Sequence, residues 1–227
     1  MKLITKKLPD DHNIFHFGDR HDGSILSYAH GWDKLLNAMN SSYDGCSNNY
    51  GIEGGDDIEA ILVDDKRFSQ EKLSEPLPLE QVKKAVKDRQ EIKGKLLFKL
   101  MGNHERKLWK FGDLTALMCE QLGVEYGTYS SKLIVRGEDG KLMYKVFETH
   151  GFRSITSTAD DPKRRQTNMK LILKRQLKFK AGDCVAMIKH HAHKLLVCEP
   201  EKELYLTDNG SKITQNYTGY GQNENYI

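Results

Sequence analysis

The chain has 227 residues, 35 Lys+Arg against 32 Asp+Glu, 38% hydrophobic and 30% charged residues, and a formal net charge of +3. This composition excludes a disordered or fibrous chain, and the length can bury a core without staples. The longest apolar run, Cys184 to Ile188, is five residues, far short of the roughly 20 of a membrane helix.

In chain order, Asn13 to Phe17 reads as a strand that stops at Gly18-Asp19. Trp32 to Met39 has helical apolar spacing, and Tyr50 to Gly55 reads as a second strand ending in glycines. Residues 64–78 are polar, hold Pro76 and Pro78, and read as an insertion loop. Pro78 suits the first turn of a helix with Leu79, Val82 and Val86 on one face. Lys95 to Met101 reads as a buried strand stopping at Gly102. Asp113 is an N-cap for a helix that buries Leu114, Leu117, Met118 and Leu122 and ends at Gly123. Ser131 to Arg136 and Lys141 to Thr149 flank a hairpin signal, Glu138-Asp139-Gly140. Met169, Ile172, Leu173 and Leu177 mark another helix. Cys184 to Ile188, Lys194 to Cys198 and Glu203 to Thr207 read as late strands, and the polar segment from Asn209 as a loose tail.

Strands mixed with helices predict an α/β fold, and the absence of repeats or a clear linker predicts one domain over 1–227. The N-terminus has no signal-peptide apolar region. The four cysteines are scattered, with no CxxC, so a reducing, cytoplasmic setting is expected.

Five times an apolar or β-prone stretch ends in metal-capable side chains: Gly18-Asp19-Arg20-His21, Gly55-Asp56-Asp57-Ile58-Glu59, Gly102-Asn103-His104-Glu105, Thr149-His150-Gly151 and His190-His191-Ala192-His193. Taken singly these are ordinary: Asp-x-His is common, Asp56-Asp57 suits a turn, and His150 suits a core histidine. Together they point to a metal site, because α/β sheets bind ligands at strand carboxyl ends. Carboxylate, imidazole and amide oxygens suit divalent Mn, Fe and Zn, and a carboxylate can bridge two cations.

In these motifs the sequence resembles the calcineurin-like metallophosphoesterases, whose pattern is D-x-H, G-D-x-x-[D/N/E], G-N-H-[D/E], a single His and G-H-x-H. The resemblance spans residues 13 to about 207, with 37, 47, 47 and 41 residues separating Asp19, Asp56, Asn103, His150 and His191. It implies a four-layer α-β-β-α sandwich of two mixed sheets flanked by helices. It also implies two divalent metals, with Mn expected and Fe, Zn, Ni or Co acceptable. One metal would lie on Asp19, His21, Asp56 and His193, the other on Asp56, Asn103, His150 and His191, with Asp56 bridging. Asn103 would also touch substrate. His104 would face the phosphate, off the metals, and protonate the leaving oxygen or stabilise charge. His190 stands where the pattern has glycine, so the sequence leaves either His190 or His191 as the ligand.

The implied activity is hydrolysis of a phosphodiester by attack of a metal-bridging hydroxide. A phosphomonoesterase acting on protein or small molecules is the near alternative. Residues 163–180 hold eight Lys/Arg and no acid, while the remainder of the chain carries −5. Lys163, Arg164 and Arg165, with Arg153 after His150, are therefore candidates to track DNA or RNA at the metal edge. The ordinary reading of such a run is a solvated helix face. A nucleic-acid-binding module with a non-catalytic metal site is the alternative from another class. No membrane partner is expected.

Overall fold

A computed structural model describes residues 1–178, 180 and 182–198, together with the backbone of three strand segments beyond them. The fold is mixed α/β, with eleven strands and five helices described. No helix among the described residues is long and apolar enough to cross a membrane.

One sheet is built by alternation of strand and helix. Its strands are β2 (Asn13–Phe17), β3 (Asn49–Glu53) and β4 (Leu96–Lys99), in that order and all parallel. Helix α1 (Ala29–Asn40) joins β2 to β3, and α2 (Pro78–Arg89) joins β3 to β4. The larger sheet begins with a strand the sequence reading did not anticipate, β1 (Lys2–Lys7), parallel to β5 (Ser130–Arg136). The expected hairpin pairs β5 with β6 (Leu142–Thr149), and β6 runs parallel to β7 (Ala186–Lys189). β8 (Leu196–Cys198) completes this sheet through β11 (Gln222–Glu224), and β9 (Lys202–Leu206) pairs with β10 (Ile213–Tyr217). The expected tail from Asn209 lies outside the described residues apart from the backbone of β10 and β11. Of the expected strand Glu203 to Thr207, backbone alone is described, and Thr207 lies outside.

Helix ends follow their capping residues. The Asp113 side chain accepts from Ala116 N–H at 2.9 Å and starts α4 (Leu114–Leu122), which Gly123 closes at φ 67°. Asp161 likewise accepts from Arg164 N–H at 2.7 Å and starts α5 (Pro162–Leu177). A five-residue helix not anticipated from the sequence, α3 (Asn103–Lys107), follows β4 directly. One helical face differs from expectation. Leu79 on α2 is exposed, and the inward place in the first turn goes to Gln81. The Gln81 amide accepts from Ala60 N–H at 2.9 Å and donates to the Glu75 carbonyl at 2.7 Å, so a polar residue is stable there.

Three apolar clusters form the core. The first packs Trp32, Leu35 and Met39 of α1, Val82 and Val86 of α2 and Met118 of α4 against the β2–β3–β4 sheet. The second lies between the two sheets, with Ile52, Phe98 and Leu100 facing Ile4, Leu133, Val146 and Ile188. The third joins Phe147 and Met187 to Leu173 and Leu177 of α5 on the larger sheet's other face. All four cysteines are buried thiols, and burial pushes Cys119 up to about 12.

Candidate metal centre

β2, β3 and β4 end at Phe17, Glu53 and Lys99, and the residues just beyond them turn sharply to reach one another. The turn after β2 is held on the turn after β3: Asp19 N–H donates to Gly55 O at 2.8 Å, His21 N–H to Asp56 O at 3.0 Å and Asp22 N–H to Asp57 O at 2.8 Å. Close approach explains Gly102, where a Cβ would stand 2.1 Å from Asp56 N. Asp19, His21, Asp56, His191 and His193 all have φ between 51° and 75°. Non-glycine residues avoid this region, and such strain of about 1–3 kcal/mol per residue collects at functional sites.

The side chains form two adjoining groups, Asp19–His21–His193 and Asp56–His150–His191, each with donor atoms within 4.8 Å of one another. In the first, His21 Nε2 and His193 Nε2 face each other at 3.3 Å, and Asp19 Oδ1 lies 3.6 Å from His193 Nε2. The other Asp19 oxygen accepts from His191 N–H at 2.9 Å, tying the groups together. In the second, Asp56 Oδ2 lies 3.3 Å from His150 Nε2 and 3.9 Å from His21 Nε2, between the two groups. Asp56 Oδ1 accepts from His104 N–H at 2.8 Å. Asn103 Oδ1 lies 3.0 Å from His150 Nε2, while His150 Nδ1 donates to the Gly54 carbonyl at 2.8 Å. That bond leaves Nε2 as the nitrogen turned towards Asp56 and Asn103. All seven residues expected to hold metal are therefore close together.

The donors suit cations. Buried Asp19 Oδ1 and His191 Nδ1 have no hydrogen-bond partner. Two imidazole nitrogens face each other beside a carboxylate, a mix matched to borderline divalent metals. The carboxylates and imidazoles of the centre shift one another's titration. Burial disfavours the charged His150 ring, but the hydrogen bond and charge of Asp56 raise it to about 9. Burial likewise opposes ionised Asp56, yet His150, His104 and His21 hold it well below the usual carboxylate range. Burial, then the charge of His150, pushes His191 down.

Of His190 and His191, it is His191 that joins a donor group. His190 is buried away from both groups, its Nε2 2.7 Å from Glu148 Oε1. Gly54 makes room for it, since a Cβ there would meet the His190 ring at 2.1 Å. The second Glu148 oxygen takes His16 Nδ1 at 2.8 Å. Burial disfavours the charged carboxylate, but these imidazoles bring it down to about 2.

His104 lies beside the groups, its ring edge-on to His21 with centroids 4.5 Å apart. Its Nδ1 is bonded to the Glu59 carbonyl, which turns Nε2 towards the cleft, and burial pushes its pKa down. Glu59 lies 2.8 Å from His21 Nδ1, and His21, Glu59 and His104 form a third group able to hold a cation. The cleft over the centre, about 460 Å³, is lined by Asp19, His21, His104 and His193, and also by Arg67. No sequence signal marks Arg67, which belongs to the insertion loop. Glu105 closes the motif from behind, accepting from Ile58 N–H at 3.1 Å and Gly102 N–H at 3.0 Å.

Of the candidate substrate residues, Asn103 and His104 lie at this centre, and the four basic ones do not gather here. Lys163, Arg164 and Arg165 do not line the cleft; they start α5, where Arg165 is engaged by the Ala159 and Asp160 carbonyls. Capping by Asp161 fixes that end of the helix beside its own acidic loop. Arg153 lines a separate cavity behind His150. No protein-family model matches the chain, and no curated protein matches it.

Proposed function

We propose that the chain is a dinuclear-metal phosphodiesterase with the four-layer α-β-β-α sandwich of the calcineurin-like metallophosphoesterases. The reading is carried by one observation: six donors meet in two adjoining groups, with Asn103 beside His150 as a seventh and Asp56 Oδ2 within reach of an imidazole of each group. The stacking of helices, sheet, sheet and helix around three core clusters supports the architecture.

Asp19, His21, Asp56 and His193 would hold one divalent cation, and Asp56, Asn103, His150 and His191 the other, with manganese expected. When bound, such a pair supplies Lewis acidity towards a phosphoryl group and lowers the pKa of the attacking water from 15.7 towards about 7. The protein's own part is positioning and proton transfer. Gly54 and Glu148 orient His150 and the His190–His193 turn. His104 is aimed by the Glu59 carbonyl so that Nε2 delivers a proton to the leaving oxygen. DNA, RNA or nucleotides are the proposed substrate class.

The test is hydrolysis of bis-(p-nitrophenyl) phosphate against p-nitrophenyl phosphate with added Mn²⁺. Faster turnover of the diester is expected. Turnover of the monoester alone would make the protein a phosphomonoesterase, and no turnover of either would overturn the proposal.

A further inference from the structure

The basic stretch of α5 divides in the folded chain. Its far end, Arg175, Lys178 and Lys180, lines a cavity of about 610 Å³ together with Arg153 from the loop after β6 and Lys189 from the end of β7. A second hollow of about 570 Å³ shares Phe152, Arg153, Arg175 and Gln176 with the first, so the two make one groove along α5. Among the described residues, neither lining holds a carboxylate. Basic residues at a helix C-terminus are favourable in their own right, because they complement the helix dipole. That accounts for Arg175, but not for Arg153 and Lys189, which come from two other chain segments. Lys189 is buried, its ammonium donating to the Arg153 carbonyl at 3.0 Å and the His190 carbonyl at 3.1 Å. The Phe152 ring is exposed beside the groove, with the Arg153 guanidinium 5.6 Å from its centroid.

The groove adjoins the metal centre without sharing a lining residue with its cleft. Thr149 and Gly151, on either side of His150, both line it. Tyr129 joins the two: its ring packs edge-on against His150 at 5.8 Å, and its hydroxyl donates to the Gly151 carbonyl.

We infer that this groove binds a single-stranded polynucleotide, with phosphates on Arg153, Arg175, Lys178 and Lys180 and a base stacked on Phe152. The inference rests on the phosphodiesterase reading and names its substrate, a strand held in a groove lined by Thr149 and Gly151, the neighbours of His150. Cations alone would serve any polyanion. An exposed aromatic ring among them serves unstacked bases, which a duplex does not offer.

Binding is read by fluorescence anisotropy of a labelled oligothymidylate of about 20 nucleotides, long enough for site sizes of about 4–16. EDTA is present, so turnover does not interfere. Affinity is expected to fall between 50 and 200 mM salt. Arg175→Glu/Lys180→Glu should weaken it about tenfold or more and flatten the log–log salt slope by about 1.4, at about 0.7 per lost contact. Arg153→Gln, on a different segment, should weaken it in the same direction, whereas Lys83→Glu/Lys87→Glu on α2 should not. Unchanged circular dichroism melts verify that the variants fold. Wild-type affinity in both groove variants would overturn the inference. So would tighter binding of a duplex of equal length, or thymidine monophosphate binding as well as the oligomer. Mn²⁺-dependent hydrolysis of bis-(p-nitrophenyl) phosphate by the wild type reports separately on the phosphodiesterase reading. Oligomer binding lost in the groove variants, without such hydrolysis, would sink that reading and leave the groove assignment standing.

Discussion

Asp56 and His104 are linked by a single hydrogen bond, yet the geometry gives them different work. Asp56 Oδ2 lies between His21 and His150, so its charge is what two groups of imidazoles are arranged around. Asp56→Asn keeps the shape and the acceptor for His104 N–H but removes that charge. Manganese binding, followed by titration calorimetry, should be lost. His104 contributes its backbone N–H to Asp56, and substitution leaves that contact intact. His104→Ala should therefore retain manganese while turnover of the diester falls by about 10²–10⁴-fold, the usual range for a lost general acid. Equal loss of metal in both variants would show that His104 belongs to the ligand cage, through the group it forms with His21 and Glu59.

The strands deliver more than ligands. Glu53 at the end of β3 and Lys99 at the end of β4 are cross-strand partners, fully buried, and meet Arg89 of α2 below the metal centre. Arg89 bonds Glu53, lies 3.0 Å from Asp22 Oδ2 and 3.5 Å from Asp57 Oδ1, and Lys99 lies 2.9 Å from Asp57 Oδ2. Asp22 and Asp57 adjoin His21 and Asp56 in sequence, so this charge layer contacts the turns that carry the candidate ligands. Arg89→Met removes one cation, leaving Glu53 and Asp57 with Lys99 alone and Asp22 with the Arg20 and Lys84 contacts of its other oxygen. Urea unfolding should show a loss of about 3–5 kcal/mol, the cost of breaking a buried pair from one side. A second ionic contact acts on the larger sheet, where one carboxylate bridges two neighbouring strands. Lys132 of β5 and Lys145 of β6 reach Asp183 at 2.5 and 2.7 Å, and their hydrogen bonds hold its carboxyl down to about 2. The folded-state pKa lies below the ordinary 3.8, so this stabilisation is present above pH 3.8 and is lost as pH falls towards 2. Asp183 is half exposed, so the contribution is below about 1 kcal/mol. Thermal melts of Asp183→Asn should show a small deficit at pH 7 that closes between about pH 4 and pH 2.

At the scale of the whole molecule, legibility follows locality. The Asp113 cap, the Gly123 stop and the Glu138-Asp139-Gly140 turn are written within a few residues, and each element forms where the sequence puts it. The five polar clusters are legible too, because each directly follows a strand. What the sequence hides is non-local. Lys99 reads as an interruption in an apolar strand until Glu53 and Asp57 are beside it, and the cations at 163–180 read as one patch until α5 carries its two ends to different cavities. The candidate metal centre is itself non-local. Asp19, Asp56 and Asn103 follow strands of the three-stranded sheet, and His150, His191 and His193 follow strands of the larger one. Cations held there would link two sheets whose only other described apolar joint is the cluster around Ile52, Phe98 and Leu133. A ligand that binds only the folded chain stabilises it by mass action, about 2.7 kcal/mol per site at a hundredfold excess over Kd. For a chain of this length, at about 2–4 °C per kcal/mol, two such sites should raise the thermal midpoint by about 11–22 °C. Manganese added to metal-stripped protein should produce that rise and EDTA should reverse it, while Asp56→Asn should respond to neither. A wild-type midpoint that ignores manganese at every concentration would mean that the two sheets share no cation.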